Sequence, residues 1–332
     1  MPKLSIMVLV YNHEKYLRKC LDGILNQKVN FDYEVVIGED CSTDSSRSIC
    51  LEYQEKYPDV IKLVLQDKNK GLIGNYIDIC NVMTGEYEAC IAGDDYWIDT
   101  NKLQMQVDFL DKNLDVGLCY TNVITCNEEG LEDPKPLIDS LFMPTTFEGQ
   151  LFKTCYMAPN TWVCRRNLKN RICEQKMWFT DESLATALDF LYNSKMVMLD
   201  KVTTVYRVRS NSLANQTDAQ KKWKYEKGIF DMQLYYAKKY NCTNEIIDKL
   251  YFQEYPNKIF SALEANDALF VNEMLNFYRN HGMEMKWFVE YCKSYIKSHE
   301  SYFNVINSRS YKLGKLIISP VKKIINLFYG KC

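Results

Sequence analysis

The sequence predicts an α/β protein: a mainly parallel sheet between helices, followed by a helical C-terminal extension. Apolar runs of strand length alternate with apolar residues at helical spacing through the first 125 residues, the pattern of repeated βα units. The runs are almost unbroken in their apolar character, as strands covered on both faces require. From about Thr217 the chain keeps a helical pattern rich in Lys, Tyr and Phe, with no convincing strand.

Taken in order, Leu4 to Val10 reads as the first strand, and Leu17, Leu21, Ile24 and Leu25 recur at helical spacing behind it. Tyr33 to Ile37 is the second strand. Ser42 or Thr43 can cap the next helix, where Ile49, Tyr53 and Tyr57 share a face before Pro58 stops it. Ile61 to Leu65, Glu86 to Ala92 and Val116 to Tyr120 read as further strands, with helices over Gly71 to Met83 and Leu103 to Leu110 between them. Residues 127 to 150, with prolines at 134, 136 and 144, read as a loop or boundary. Beyond it come a short strand at Thr161 to Arg165, a helix from about Ser183 to Tyr192, and strands near Met196 to Leu199 and Thr203 to Val208. This divides the chain into a domain over 1–215 and a helical region over 216–332, in keeping with roughly 150 residues per domain.

Composition excludes several classes. With 41 basic and 43 acidic residues the formal charge is −2, which gives no global attraction for nucleic acid. No run approaches the roughly 18 apolar residues of a spanning helix, and the first strand stands where a secretory leader would. A cytoplasmic location is therefore expected. The thirteen cysteines include no CxxC pair, and they read as reduced, mostly buried thiols.

In open α/β sheets ligands bind beyond the carboxyl ends of the strands, so the polar residues ending each run carry the chemistry. They are Tyr11-Asn12-His13, Glu39-Asp40-Cys41-Ser42-Thr43-Asp44 and Gly93-Asp94-Asp95-Tyr96-Trp97. Adjacent carboxylates are costly unless a cation or donor-rich ligand neutralises them. Asp94 and Asp95 thus suit Mg²⁺ or Mn²⁺, which binds through one or two carboxylates plus phosphate oxygens. The glycine-rich phosphate loops of P-loop and dinucleotide-binding proteins are absent.

Four segments in order, Val10 to Leu17, Asp32 to Asp44, Asn69-Lys70-Gly71 with Asn75, and Gly85 to Trp97, resemble family 2 glycosyltransferases of the GT-A fold. The resemblance covers roughly residues 2–125 and more weakly extends to about 215. It implies an inverting, metal-dependent hexosyltransferase using a nucleotide-sugar donor, with a UDP-sugar favoured and a saccharide or lipid-linked acceptor in surface polysaccharide synthesis. Carried onto this sequence, it implies that Tyr11, Asn12, Glu39, Asp40 and Asn75 line the nucleotide, with Asp40 accepting from the base. Asp94 and Asp95 would hold the ribose and the metal. The family's fuller pattern has an acid where this chain has Ala92, which leaves open which of the two is the principal ligand.

The resemblance also puts Asp181 or Glu182 at the catalytic base, Asp181 ahead, although both suit the start of a helix. Arg207 and Arg209 could meet the leaving diphosphate, since guanidinium forks match phosphate oxygens. His13, His281 and His299 read as solvent or packing residues. A non-catalytic nucleotide-sugar binder and a sugar-1-phosphate nucleotidyltransferase are the alternatives. Residues 301 to 332 carry six basic residues and no acid along one amphipathic pattern. That suits a peripheral helix on an anionic membrane face, or one packed on its own domain or on a second copy in a homo-oligomer.

Overall fold

The computed structural model describes residues 1–174, 176–209 and 218–282, which fall into two compact units within Met1–Ser210 and Asn211–Cys332. The basic amphipathic tail and His299 lie outside the described residues.

In the first unit, strands β1 (Leu4–Val10), β2 (Tyr33–Glu39), β3 (Ile61–Leu65) and β4 (Tyr87–Ala92) alternate with helices α1 (Leu17–Leu25), α2 (Ser46–Lys56) and α3 (Gly71–Val82). Then come β5 (Tyr96–Trp97), α4 (Lys102–Lys112), β6 (Val116–Cys126), β7 (Glu132–Asp133), α5 (Phe147–Lys153), β8 (Val163–Arg165), α6 (Arg166–Ile172), α7 (Glu182–Asn193) and β9 (Lys195–Arg207). The sheet order is β3-β2-β1-β4-β8-β6-β9-β5, with β7 on β6. Strands β3, β2, β1 and β4 are mutually parallel, as are β6 and β9, whereas β8 runs antiparallel between β4 and β6.

Every residue of β1 is buried, and its alternate side chains serve two layers. Leu4, Ile6, Val8 and Val10 join the main core with Leu17, Leu21 and Ile24 of α1, while Met7 and Leu9 pack with Tyr76 and Ile79 of α3. This two-sided burial explains the unbroken apolar run. The chain leaves β1 toward β2 and β3, then returns to β4 on its other side, so the order reverses between β1 and β4. A crevice at that switch point is where an open α/β sheet takes its ligand.

Several boundaries differ from expectation. Ser42 and Thr43 do not cap α2, because the Ser42 hydroxyl accepts from the Asn12 amide and Thr43 donates to the Asn12 side chain; the N-cap is Ser45. The two strands expected within 196–208 are one continuous β9, carried through register shifts against β6. The proline-bearing stretch after 127 holds β7 and a short 3₁₀ turn at Ser140–Phe142, and α5 begins inside it at Phe147. Helix α6 follows β8 at once, in a polar sequence without an apolar stripe to announce it.

The second unit holds α8 (Ala219–Lys239), α9 (Asn244–Glu264) and α10 (Ala268–Asn280). Asp218, Thr243 and Asp267 cap the three N-termini, each accepting from a backbone N–H in the first turn. Trp223, Phe230, Tyr255, Ile259, Phe270 and Met274 form its core. No helix among the described residues is long and apolar enough to cross a membrane.

One core group is a charge carrier. Lys102 is fully buried, its Nζ donating to Gln106 Oε1 at 2.7 Å and lying 4.4 Å from the centre of the Trp97 ring. Burial pushes its pKa down to about 7 from 10.5. The unfolded chain therefore binds the extra proton between these values, so stability rises with pH across that window. From pH 7 to pH 9 Lys102 is expected to add on the order of 2 kcal/mol. Thermal melts of Lys102→Met should lose this part of the climb that the parent shows between the same two pH values.

Candidate active site

The ends of β1, β2 and β4 are drawn together by backbone hydrogen bonds. The Asp40 amide donates to the Val10 carbonyl and the Gly93 amide to the Leu9 carbonyl, each at 2.9 Å. Gly93 must be small: a Cβ there would meet His13 Nδ1 at 2.9 Å and Leu17 Cδ1 at 3.1 Å. Asn12 and Cys41, just past β1 and β2, are left-handed, with φ of 55° and 58°. The Asn12 side-chain oxygen accepts from the Thr43 amide, which laces the β1 turn to the β2–α2 loop. Tyr11 is exposed at this rim.

Asp40 is buried and accepts the Lys70 amide at 2.7 Å. Burial raises its pKa, opposed by hydrogen bonds from the Lys70 and Gly71 amides. Glu39, expected beside the nucleotide, faces away from solvent: one oxygen accepts from the Ser42 amide and the other from Arg47. Asn75 is likewise absorbed by the scaffold, donating to the Gly38 carbonyl and accepting from Gln66. Both have the polar side chains a nucleotide site calls for, but their hydrogen-bonding atoms hold β2 to its neighbours.

Asp94 and Asp95 occupy the turn between β4 and β5. Strand β5 pairs with β9, Tyr96 opposite Val205 and Trp97 opposite Thr204, which carries Arg207 against the two acids. The Arg207 amide donates to Asp95 Oδ1 at 2.8 Å, and Asn160 Nδ2 donates to Asp95 Oδ2 at 2.8 Å. Burial and the neighbouring Asp94 push the Asp95 pKa well up. The Arg207 guanidinium, expected to meet a diphosphate, is instead buried: it donates to the carbonyls of Asp94 and Asn127 and covers the Tyr16 ring at 4.2 Å. Asp94 is the more open acid, with Arg209 Nη1 at 3.1 Å and His13 Nε2 at 3.7 Å from its Oδ2. Burial lowers the His13 pKa, so this imidazole is neutral at pH 7. His13 is therefore packed beside Asp94 rather than open to solvent, a placement that only the folded turn after β1 reveals.

Asn160 is presented by a 3₁₀ turn, Pro159–Thr161, that follows left-handed Ala158 (φ 45°). Trp97 Nε1 donates to the Asn160 carbonyl, and Gln106 donates to that of Thr161. Asn160 Oδ1 and His13 Nδ1 are buried without a hydrogen-bond partner, two atoms that a polar ligand can satisfy.

The Tyr156 ring packs against that of Tyr206, tilted by 42° with ring centres 5.6 Å apart. Burial of its hydroxyl, and then Asp95, Tyr206, Asp181 and Asp94, raise its pKa. Asp181 caps α7: its Oδ1 accepts from the Leu184 amide at 2.8 Å and the Ser183 hydroxyl at 2.6 Å. Glu182, the first residue of α7, borders a small recess of about 30 Å³ with Tyr76, Glu88, Trp162, Lys169 and Thr186. Burial, reinforced by Asp181, pushes its pKa up to about 7.

Among the described residues no cluster of three or more His, Cys, Asp or Glu is placed to hold a metal. The donor set nevertheless fits Mg²⁺ or Mn²⁺ bound partly by substrate: Asp94 supplies an accessible hard oxygen beside Asp95, whose ionisation is opposed by burial and by Asp94 itself.

Residues 5–171 match the family described as Glycosyl transferase family 2, and the chain belongs to that family. Over 203 residues it is 36% identical to the poly(ribitol-phosphate) beta-glucosyltransferase of Bacillus spizizenii, covering 57% of this chain and 32% of the relative. Over 228 residues it is 29% identical to glycosyltransferase GlyA of Streptococcus pneumoniae, covering 64% of this chain and 31% of that one. These matches span less than half the length of the curated relatives. The fold is that of GT-A glycosyltransferases. It is similar to the structure of mannosyltransferase PcManGT from Pyrobaculum calidifontis in complex with GDP-Man and Mn²⁺, with a TM-score of 0.58, 15% identity, and coverage of 100% of this chain and 88% of that one.

The two acids of the turn should separate in a melting experiment. Asp95→Asn turns an NH₂ toward a donor and should cost about 1–3 kcal/mol, whereas Asp94→Asn should leave the thermal midpoint nearly unchanged. Equal losses for both would contradict the assignment of Asp95 to the scaffold.

Proposed function

We propose that the protein is an inverting glycosyltransferase that moves a hexose from a nucleoside diphosphate, UDP first, to an acceptor hydroxyl of a saccharide or lipid-linked glycan. The observation that carries this reading, within the family, is the pairing of an acid turn at the sheet's switch point with a carboxyl group, Glu182, whose pKa lies near neutrality. A general base works best when its pKa is near the working pH. Asp181, favoured by sequence, is already committed as the helix cap, so the base is assigned to Glu182.

In the reaction, Glu182 removes the proton of the acceptor hydroxyl as its oxygen attacks the anomeric carbon. The bond from that carbon to the diphosphate oxygen breaks with its electron pair, and a single displacement inverts the centre. Tyr11, Asn12 and Asp40 orient the nucleotide, with Asp40 accepting from the base. A divalent cation held by Asp94, with Asp95 fixing the turn, would neutralise charge on the departing diphosphate. Arg209, beside Asp94, is the guanidinium available to that group, while Arg207 keeps the turn in place.

Release of UDP from a panel of UDP-hexoses and UDP-N-acetylhexosamines with Mn²⁺ tests the reading. Glu182→Gln should lower turnover by roughly 10²–10⁴-fold with donor binding retained; wild-type turnover would remove Glu182 from the role of base. In the parent, kcat/KM should rise with pH through about 7, because the ionised carboxylate is the active form. Asp181→Asn keeps a capping side chain but removes the like charge, and should move this acid limb to lower pH.

The metal assignment has its own test. Asp94→Asn should abolish the Mn²⁺-dependent part of UDP binding in calorimetric titrations. Retention of that part would transfer the ligand role to Asp95.

A further inference from the structure

Glu88 and Lys169 take no part in the mechanism, yet both are charged side chains placed where burial is costly. Alternation along β4 turns Tyr87, Ala89 and Ile91 into the main core and Glu88 and Cys90 to the opposite face. There the Glu88 carboxylate accepts from Lys169 Nζ of α6; both residues are buried, and the ammonium lies 4.8 Å from the centre of the Tyr76 ring. An apolar pair of similar volume would commonly be as stable or more so, so folding alone does not account for the ion pair. Its position does: both side chains line the recess bordered by Glu182.

Resting on the reading of Glu182 as the base, we propose that the Glu88–Lys169 pair is a positioning device, an ammonium fixed in the recess wall that keeps the Glu182 carboxylate ionised. The titratable groups around Glu182 are Asp181 beside it in the chain, Lys169 on α6, Glu88 and Cys90 on β4, Cys164 on β8 and Tyr76 on α3. Burial and Asp181 disfavour the carboxylate; a hydrogen bond from its own backbone amide favours it, and after that Lys169, the cation of the recess. Against the penalty of its own burial, Lys169 is held well above the ordinary lysine range, chiefly by Glu88. Its charge therefore persists throughout the range in which Glu182 titrates.

The readout is the carboxyl carbon of Glu182, followed by NMR in protein labelled with carboxyl-¹³C glutamate and assigned as the resonance that Glu182→Gln removes in each background. In the parent it should titrate near pH 7. In Lys169→Met/Glu88→Leu, which removes both buried charges together, the midpoint should rise by roughly 1 pH unit. Lys169→Arg, which keeps the cation, should leave it in place. Should the apolar double variant not fold, Lys169→Gln/Glu88→Gln provides the same comparison. An unmoved midpoint in a folded double variant overturns the proposal, as does an equal rise in Lys169→Arg. Turnover of UDP-sugars by Glu182→Gln separates the two readings. Wild-type turnover there defeats the base assignment, whereas an inactive Glu182→Gln beside an unmoved midpoint defeats only the role of the ion pair.

Discussion

The site depends on one backbone contact across the sheet, the Arg207 amide donating to Asp95. It exists because two residues of β5 pair antiparallel with β9 and bring the strand's last residue back over the turn that leaves β4. Two adjacent carboxylates on a free turn would repel and splay. Here one is tied at both oxygens, by a backbone N–H and by Asn160, and the other is left facing Arg209 and His13. The Arg207 guanidinium completes the clamp by holding the turn's own Asp94 carbonyl. A buried arginine is thus spent on geometry, which leaves the carboxylate of Asp94 accessible for chemistry.

The same division of labour recurs in each acid doublet of the first unit. Glu39 is consumed by Arg47 and the Ser42 amide while Asp40, its neighbour, stands at the strand end against Lys70. Asp181 is consumed as a helix cap while Glu182 borders the recess. In two of the doublets the fixed member also does electrostatic work, because its charge opposes ionisation of the partner: Glu39 acts so on Asp40, and Asp181 on Glu182, whereas in the turn after β4 the open Asp94 opposes ionisation of the fixed Asp95. A pair of acids therefore supplies both an anchor and a carboxyl group of raised pKa from consecutive residues, without a separate element to tune it.

How much of this was legible in the sequence follows from the range of the interactions. The βα alternation, the buried strands and the acid-bearing strand ends are local patterns, and Leu4 to Val10 or Tyr87 to Ala92 announce themselves by composition alone. In the Asp94–Asp95 doublet, which acid is fixed and which is left open is set by partners far along the chain, 112 residues away for Arg207 on Asp95 and 65 for Asn160. No local pattern encodes those. Helix α6 was hidden for a related reason: its polar sequence shows no stripe, since it sits on the sheet mainly through Lys169, a residue whose burial is intelligible only once Glu88 is opposite it. Between the solvent and packing readings of His13 the sequence does not choose, because the turn that folds it toward Asp94 depends on left-handed Asn12.

Two of the strained backbone positions adjoin the candidate site. Of the non-glycine residues with positive φ, Asn241 and Asn266 follow helices, where asparagine tolerates the left-handed form at little cost. Cys41 and Ala158 have no such side chain, and each left-handed residue without one costs on the order of 1 kcal/mol or more. Cys41 directly follows Asp40, and Ala158 opens the turn that carries Asn160. In both cases the distortion is held by surrounding hydrogen bonds, from the Lys70 amide to Asp40 and from Trp97 and Gln106 to the Asn160 turn. Thr154 carries comparable strain where α5 ends, so left-handed backbone is not confined to the site; Cys41 and Ala158 are the two such positions that adjoin candidate site residues, each where a polar group leaves a regular element.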